Sequence, residues 1–411
     1  MLRALTDQRP QERTAPVLRP CRPLLVGVWL GFLLVLTLVL LVGAELGLHV
    51  RRDWIAAHLP LPENTDDRFV PDRALGYKNR PSYTYQSTNR LGGLVHYSNN
   101  ALGLRGPETT RAKPTGVRRV VILGGSTVYG ALVDDPDTIA MQLQAVLRQR
   151  LGPDVEVLNG GVPSYDGLHE VVFARADLLA LEPDAIVDVD GLNDVFFGTL
   201  EEWPSQVAGG EIGMISDGRF ADVVSMIDRT MFPHGLLEHQ LTMLWRDTRF
   251  RAYRLTHRGR PAAPRVISDR VVALHAGSLG LLAEYGRSHH AAVIAALQPL
   301  VAAGHKTLTS DEQDAVRHEG YWSAGGWQEI AGDMYRRMAP TTRAAVESQG
   351  GLFVDMSGAF DDEPDTAYAE DAVHYTALGN KRLAATLAPL VVAGLQATAR
   401  SDLGRDRLVQ D

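Results

Sequence analysis

Cysteine is almost absent: Cys21 is the only one in 411 residues. An intrachain disulfide is excluded, and so is any metal site built on cysteine pairs. Beyond the first 52 residues acidic side chains outnumber basic ones. The first 52 carry seven Lys/Arg and three Asp/Glu, a net +4 against −8 for the whole chain, which leaves −12 for the rest. An acidic body of this kind argues against nucleic acid as a partner. No internal repeat is visible. His289, His290 and His318 lack metal-ligand spacing such as H-E-x-x-H, so no metal and no cofactor is read from local motifs.

Charge is missing altogether from Leu24 to Ala44, "LLVGVWLGFLLVLTLVLLVGA", 21 residues long. A helix of that length spans roughly 30 Å, enough to cross a bilayer. A buried core helix this long would show a polar stripe, and this one has none. Arg3, Arg9, Arg13, Arg19 and Arg22 precede the run, and Arg51 and Arg52 follow it. The positive-inside rule puts the N-terminus in the cytoplasm and the remainder in the periplasm or outside. A cleaved signal peptide is the rival reading. The run is long for one, and Glu45 follows Ala44 with no clear cleavage pattern, so an uncleaved single-pass anchor is expected. A lipoprotein signal would place its cysteine after the apolar run, whereas Cys21 precedes it.

The expected organisation is a basic cytoplasmic tail over 1–22, a transmembrane helix over 23–48 and a lead-in segment over 49–116. A main domain follows over 117–398, and a disordered tail over 399–411. "SYTYQSTN" and "LVHYS" supply short β signals in the lead-in. From Val117 onward strands and helices alternate. Strands are expected at Val120–Leu123, Val155–Leu158, Ala185–Val189, Ala292–Leu297 and Leu352–Val354. Helices are expected at Thr138–Leu151, Gly167–Leu181, Val266–Tyr285, Trp327–Gln349 (interrupted at Pro340) and Ala377–Leu395. This alternation predicts an α/β fold, a three-layer α/β/α sandwich around a parallel sheet of about five strands. The stretch of about 195–265 fits no simple crossover. It is read as an insertion, either a helix packed on the domain or a basic amphipathic surface acting as a lid or leaning on anionic lipid.

Chemistry-bearing residues collect where strands end. "RRVVILGGSTVYG" runs from Arg118 to Gly130 and ends its strand in Gly124-Gly125-Ser126-Thr127. No lysine lies between Gly124 and Thr138, so this is not a P-loop, and the glycine spacing is not G-x-G-x-x-G. Val128 stands where an α/β-hydrolase elbow needs glycine. Alone, the loop is either a nucleophile mount or a tight turn. Three further segments follow later strands: "NGGVPSYDG" from Asn159, "DVDGLNDVF" from Asp188 and "DAVHYTALGN" from Asp371. Together the four supply a serine, a histidine, an aspartate, an asparagine amide and backbone N–H groups, the inventory of acyl transfer.

In order and spacing these blocks resemble the SGNH (GDSL-type) hydrolase superfamily over roughly Val117 to Leu395. Gly124-Gly125-Ser126 resembles its Gly-Asp-Ser block, Asn159 to Ser164 its Asn-x-x-x-x-Gly block, Gly191-Leu192-Asn193-Asp194 its Gly-x-Asn-Asp block, and Asp371 with His374 its Asp-x-x-His block. The resemblance implies a flavodoxin-like fold and an esterase working through an acyl-serine on an acyl-ester substrate, a cell-surface polysaccharide or a lipid. Ser126 would be nucleophile, His374 base and Asp371 its orienting acid. The oxyanion hole would use the N–H of Ser126, the N–H of Ser164 (or Gly161) and the amide of Asn193. Asp194 is read as structural, closing its loop. Two positions depart from the family: Gly125 replaces an aspartate, and Ser164 replaces a glycine, which narrows the pocket for the acyl group. Two alternatives stay open, an O-acyltransferase acting on a surface glycan and an inactive envelope scaffold.

Overall fold

The computed structural model describes residues 22–58, 67–72, 75–89, 92–200, 264–318 and 327–410. The chain divides into two compact units, Met1–Ile55 and Ala56–Asp411. Most of the insertion expected over about 195–265, with its lid or lipid-surface reading, lies outside the described residues.

The first unit is dominated by a single helix, α1, which runs Arg22–His58. Within it, Val26–Gly47 is long and apolar enough to cross a membrane, and none of that stretch is buried by protein. Trp29, Phe32 and Leu40 are each more than half exposed. A helix of this kind near an N-terminus serves as a membrane anchor or a signal sequence.

The second unit opens with two antiparallel hairpins. Strands β1 (Phe69–Asp72) and β2 (Gly76–Asn79) form the first, and β3 (Tyr83–Thr88) and β4 (Leu94–Asn99) the second. The main sheet holds β5 (Arg118–Gly124), β6 (Val155–Asn159), β7 (Ala185–Asp190), β8 (Ala292–Leu297) and β9 (Leu352–Asp355). Its order is β6-β5-β7-β8-β9 with every pair parallel. The expected five-stranded parallel sheet is what forms, in the doubly wound order whose switch point lies between β5 and β7.

Helices cover both faces. They are α2 (Ser126–Tyr129), α3 (Ile139–Leu151), α4 (Gly167–Phe173), α5 (Leu192–Leu200), α6 (Pro264–Ser288), α7 (Ser310–His318), α8 (Trp327–Ser348) and α9 (Ala377–Gln410). Side chains alternate along a strand, so β5 sends Val121 and Leu123 into one core and Val120 and Ile122 into the other. The first core is closed by α4, α6 and α8, the second by α3 and α9. Thr138 caps α3 by accepting from the Met141 N–H.

Three expectations are corrected. The helix expected over 167–181 keeps α geometry only to Phe173, then widens over Ala174–Leu178 and tightens over Leu179–Leu181. Glu182, in the left-handed region at φ 54°, ends it. Pro340 sits inside α8 without ending it. The final helix runs through the segment expected to be disordered: Ala, Leu, Arg and Gln are good helix formers, and no proline follows Pro389.

The lead-in hairpin bears directly on the serine loop. Tyr85, Tyr97 and Tyr129 stack in series, with centroids 4.4 and 6.1 Å apart. The buried Arg105 guanidinium lies over Tyr97 and Tyr129 at 4.5 and 4.9 Å. It donates to the carbonyls of Tyr129 (2.7 Å) and Val133 (2.7 Å) and pairs with Asp135 at 2.8 Å. The end of α2 is thereby fastened to the lead-in, which fixes the helix that begins with Ser126.

Candidate active site

Ser126 follows the last residues of β5 and opens α2. The turn is tight enough that Gly124 has no room for a side chain. A Cβ there would stand 2.2 Å from Val128 Cγ2 and 2.7 Å from the Val189 carbonyl oxygen. Gly130, left-handed at φ 88°, closes α2 by donating its N–H to the Ser126 carbonyl.

Asp371 and His374 come from the loop before α9. The Asp371 carboxylate accepts from the N–H of Val373 (3.0 Å) and of His374 (2.9 Å). Such a side-chain-to-backbone turn is ordinary for aspartate, and Ala372 completes it at φ 57°. The turn folds the loop so that Asp371 Oδ2 stands 2.5 Å from His374 Nδ1. His374 Nε2 in turn stands 2.7 Å from Ser126 Oγ, across 248 positions of sequence. The three-residue spacing thus has a physical reason: one carboxylate shapes the turn and grips the ring.

Burial pushes the Asp371 carboxyl up. The adjacent His374 imidazole and the two backbone N–H donors outweigh that and hold it down at about 2. Because this folded-state value lies below the ordinary 3.8, the contribution to stability is present above about pH 4 and is lost as pH falls through 2. At 1.36 kcal/mol per pKa unit it is worth about 2 kcal/mol. Urea titrations of wild type and Asp371→Asn should differ by that extra amount near pH 5 and converge near pH 2. A gap independent of pH would refute the linkage.

The oxyanion candidates separate. Neither the Ser126 N–H nor the Ser164 N–H has an acceptor among the described residues. Ser164 holds φ 66°, a conformation that favours the glycine it replaces, and a non-glycine residue there is strained by about 1 kcal/mol. Asn193 Nδ2 donates to the Tyr165 carbonyl at 2.6 Å, which leaves its second hydrogen uncommitted. Gly161 is a correction: its N–H donates to Asn159 Oδ1 at 2.9 Å and is not free. Asn159 Nδ2 donates to the Val128 carbonyl at 2.9 Å, so this side chain ties the end of β6 to α2. A Cβ on Gly161 would lie 2.2 Å from the Tyr129 nitrogen, so that glycine is needed for close approach.

Asp194 accepts from the Gly167 N–H at 3.2 Å, a contact to the start of α4 and not within its own loop. It also lies in a buried group that no local motif announces. Glu170 of α4, Asp188 and Asp190 of β7 and His275 of α6 are fully buried around it. Burial, then the neighbouring Asp188 and Asp190 charges, hold the Glu170 carboxyl well above its ordinary range. Burial and then Asp194 do the same to Asp190, and burial pushes Asp188 up to about 6. Asp194 is held low against its burial by His275. Sequence reading misses the group because its members are spread from 170 to 275 and meet only when α4, β7, α5 and α6 pack.

No family model matches the sequence, and no curated protein matches it. Among solved structures, this chain is similar to a protein assigned to the lipolytic G-D-S-L family from Desulfitobacterium hafniense DCB-2, at 13% identity and TM-score 0.37, covering 66% of this chain and 98% of that one. It is also similar to a catalytic mutant of Axe2, an acetylxylan esterase from Geobacillus stearothermophilus, at 14% identity and TM-score 0.36, covering 68% and 96%. The architecture is a β6-β5-β7-β8-β9 parallel sheet between two helix layers, a flavodoxin-like doubly wound arrangement.

Proposed function

We propose that the protein is a membrane-anchored serine esterase that cleaves acyl esters through an acyl-serine intermediate. The observation that carries this reading is the continuous hydrogen-bonded series from Ser126 Oγ through His374 to Asp371. A serine hydroxyl is protonated at neutral pH and needs a base at hydrogen-bond distance. Here Ser126 Oγ attacks the ester carbonyl carbon and its proton passes to His374 Nε2. Asp371 stays ionised, fixes the ring's tautomer and stabilises the imidazolium. The tetrahedral oxyanion accepts from the Ser126 and Ser164 N–H groups and from the second hydrogen of Asn193 Nδ2. Collapse breaks the ester C–O bond, and the leaving alkoxide takes the proton from His374. Water then repeats the sequence on the acyl-serine, and Ser126 is regenerated. The Ser164 side chain beside the oxyanion position favours short acyl groups such as acetyl. The apolar helix favours substrates at a membrane surface.

The test is a fluorophosphonate probe together with p-nitrophenyl acetate turnover. Labelling of wild type and none of Ser126→Ala is expected. Equal labelling of both, or of neither, would refute the reading and favour a scaffold. Transfer to a glycan rather than to water would appear as an acylated sugar in place of free acetate.

Asn193→Ala is expected to lower kcat by about 10²–10³, the usual cost of one oxyanion donor. Fluorophosphonate labelling and the melting temperature should survive, because Asn193 is not the nucleophile. Unchanged turnover in a folded variant would remove Asn193 from the oxyanion hole.

A further inference from the structure

The buried acidic group beneath the end of β7 has no use in the proposed reaction. Asp190, Asp194 and His275 each offer one ligand atom, and these atoms lie within 4.8 Å of one another. The two aspartates meet beside Gly167: the point where its Cβ would sit is 3.5 Å from Asp190 Oδ2 and 3.7 Å from Asp194 Oδ1. A second observation is independent of the cluster's charge. Nε2 of His275 and the hydroxyls of Ser278 and Tyr335 are buried without a hydrogen-bond partner among the described residues, whereas Asp190 lies against Asp194 and the Gly191 backbone. The carboxylates of Glu170 and Asp188 face each other. Among the described residues, the only ion pair made by any of the four acids is His275 Nδ1 with Asp194 Oδ2 at 3.4 Å.

Buried polar groups are nearly always satisfied, and buried charges are paired or bind metal. Shared protons could join Glu170 to Asp188 and Asp190 to Asp194. They would still leave one His275 nitrogen without a partner. A cation supplies that partner, because imidazole and carboxylate side chains are together the ligand set of first-row divalent metals. Ligand atoms at about 2.1 Å from such an ion stand about 3–4 Å apart, so small side-chain rotations bring these three into range.

We propose that Asp190, Asp194 and His275 form a structural site for one divalent transition-metal ion of the Mn²⁺ or Zn²⁺ class. Glu170 and Asp188 lie outside the ligand set and add negative charge to the same pocket. The ion would join β7, α5 and α6. It would thereby fasten the start of α5, which carries Asn193, and through Asp194 the start of α4 at Gly167. The site does not touch the serine, so its metal would act on rigidity and not on the reacting atoms.

The test uses the full chain, purified in detergent without chelator and analysed for bound metal by mass spectrometry. About one equivalent of Mn²⁺ or Zn²⁺ per chain is expected. After stripping, Mn²⁺ titration followed by electron paramagnetic resonance should show one site. Asp190→Asn and His275→Gln should each weaken it at least tenfold, while His318→Gln, an exposed histidine on α7, should not. Wild type should also melt at a higher temperature with added Mn²⁺ or Zn²⁺ than when stripped, a readout that requires no variant to fold. Absence of retained metal together with an unchanged melting temperature would overturn the site in favour of shared protons. Metal binding undiminished in either folded ligand variant would overturn it as well.

Discussion

Ser126→Ala should lower p-nitrophenyl acetate turnover by about 10⁴–10⁶ while leaving the melting temperature within a degree or two of wild type. The size follows from the role: removing a nucleophile that acts as one unit with its base costs nearly all of the unit's advantage, and only the binding and oxyanion contributions remain. The small effect on stability follows from the surroundings. Ser126 is partly exposed, and among the described residues its Oγ makes one hydrogen bond, to His374 Nε2 at 2.7 Å. The backbone features that shape the turn, the Gly124 approach to Val128 and the Gly130 cap, do not involve the hydroxyl. Steady-state kinetics beside thermal melting decides. A loss below tenfold would mean that the series from Ser126 to Asp371 is not the reactive centre. A large loss accompanied by unfolding would leave labelling of wild type as the deciding measurement.

Much of this arrangement is legible in the amino-acid order alone. The expected bounds of β8, Ala292–Leu297, are the observed ones, because a short continuous apolar run between polar turns fits a strand buried on both faces. Asp371 and His374 are legible because the contact between them is local, one turn of chain. The joining of His374 to Ser126 is readable only through the order of four blocks, since 248 positions separate the two. What escapes is built from short or scattered pieces. The β1–β2 hairpin uses two four-residue strands, one containing Pro71, which carry little strand signal. Asp188 and Asp190 alternate with Val187 and Val189 on β7, a pattern that reads as one wet face of a strand. Both faces of β7 are in fact covered, and the acids are fully buried. The Gly161 N–H is equally unreadable: its capture by Asn159 depends on how the end of β6 meets α2.

Gly125→Asp, which restores the residue that the resembled family carries, should impair the enzyme rather than improve it. A Cβ at position 125 would stand 2.3 Å from Asn193 Nδ2 and 3.0 Å from the Tyr165 carbonyl oxygen. Real Cβ atoms do not approach that closely, so something must give. The Asn193 amide is the end of a side chain and can rotate away, whereas the Tyr165 carbonyl belongs to the backbone. Rotation breaks the 2.6 Å bond to Tyr165 and takes the second amide hydrogen away from the proposed oxyanion position. The new carboxylate then places a negative charge beside one that develops in the transition state. Loss of a donor alone costs about 10²–10³ in kcat, and the like charge adds to it, so a fall of about 10³ or more is expected. Gly125→Ala separates the two causes: it introduces the Cβ without the charge and should lose no more than the donor's share. Stability should fall by about 1–3 kcal/mol in both, the usual cost of overpacking. Kinetics of the two variants against Asn193→Ala provide the check. If Gly125→Asp matches or exceeds wild type, the crowding of position 125 by Asn193 is not what keeps it glycine. If it fails as expected, the departure from the family's aspartate is a consequence of where this chain puts its amide, packed against the backbone that presents Ser126.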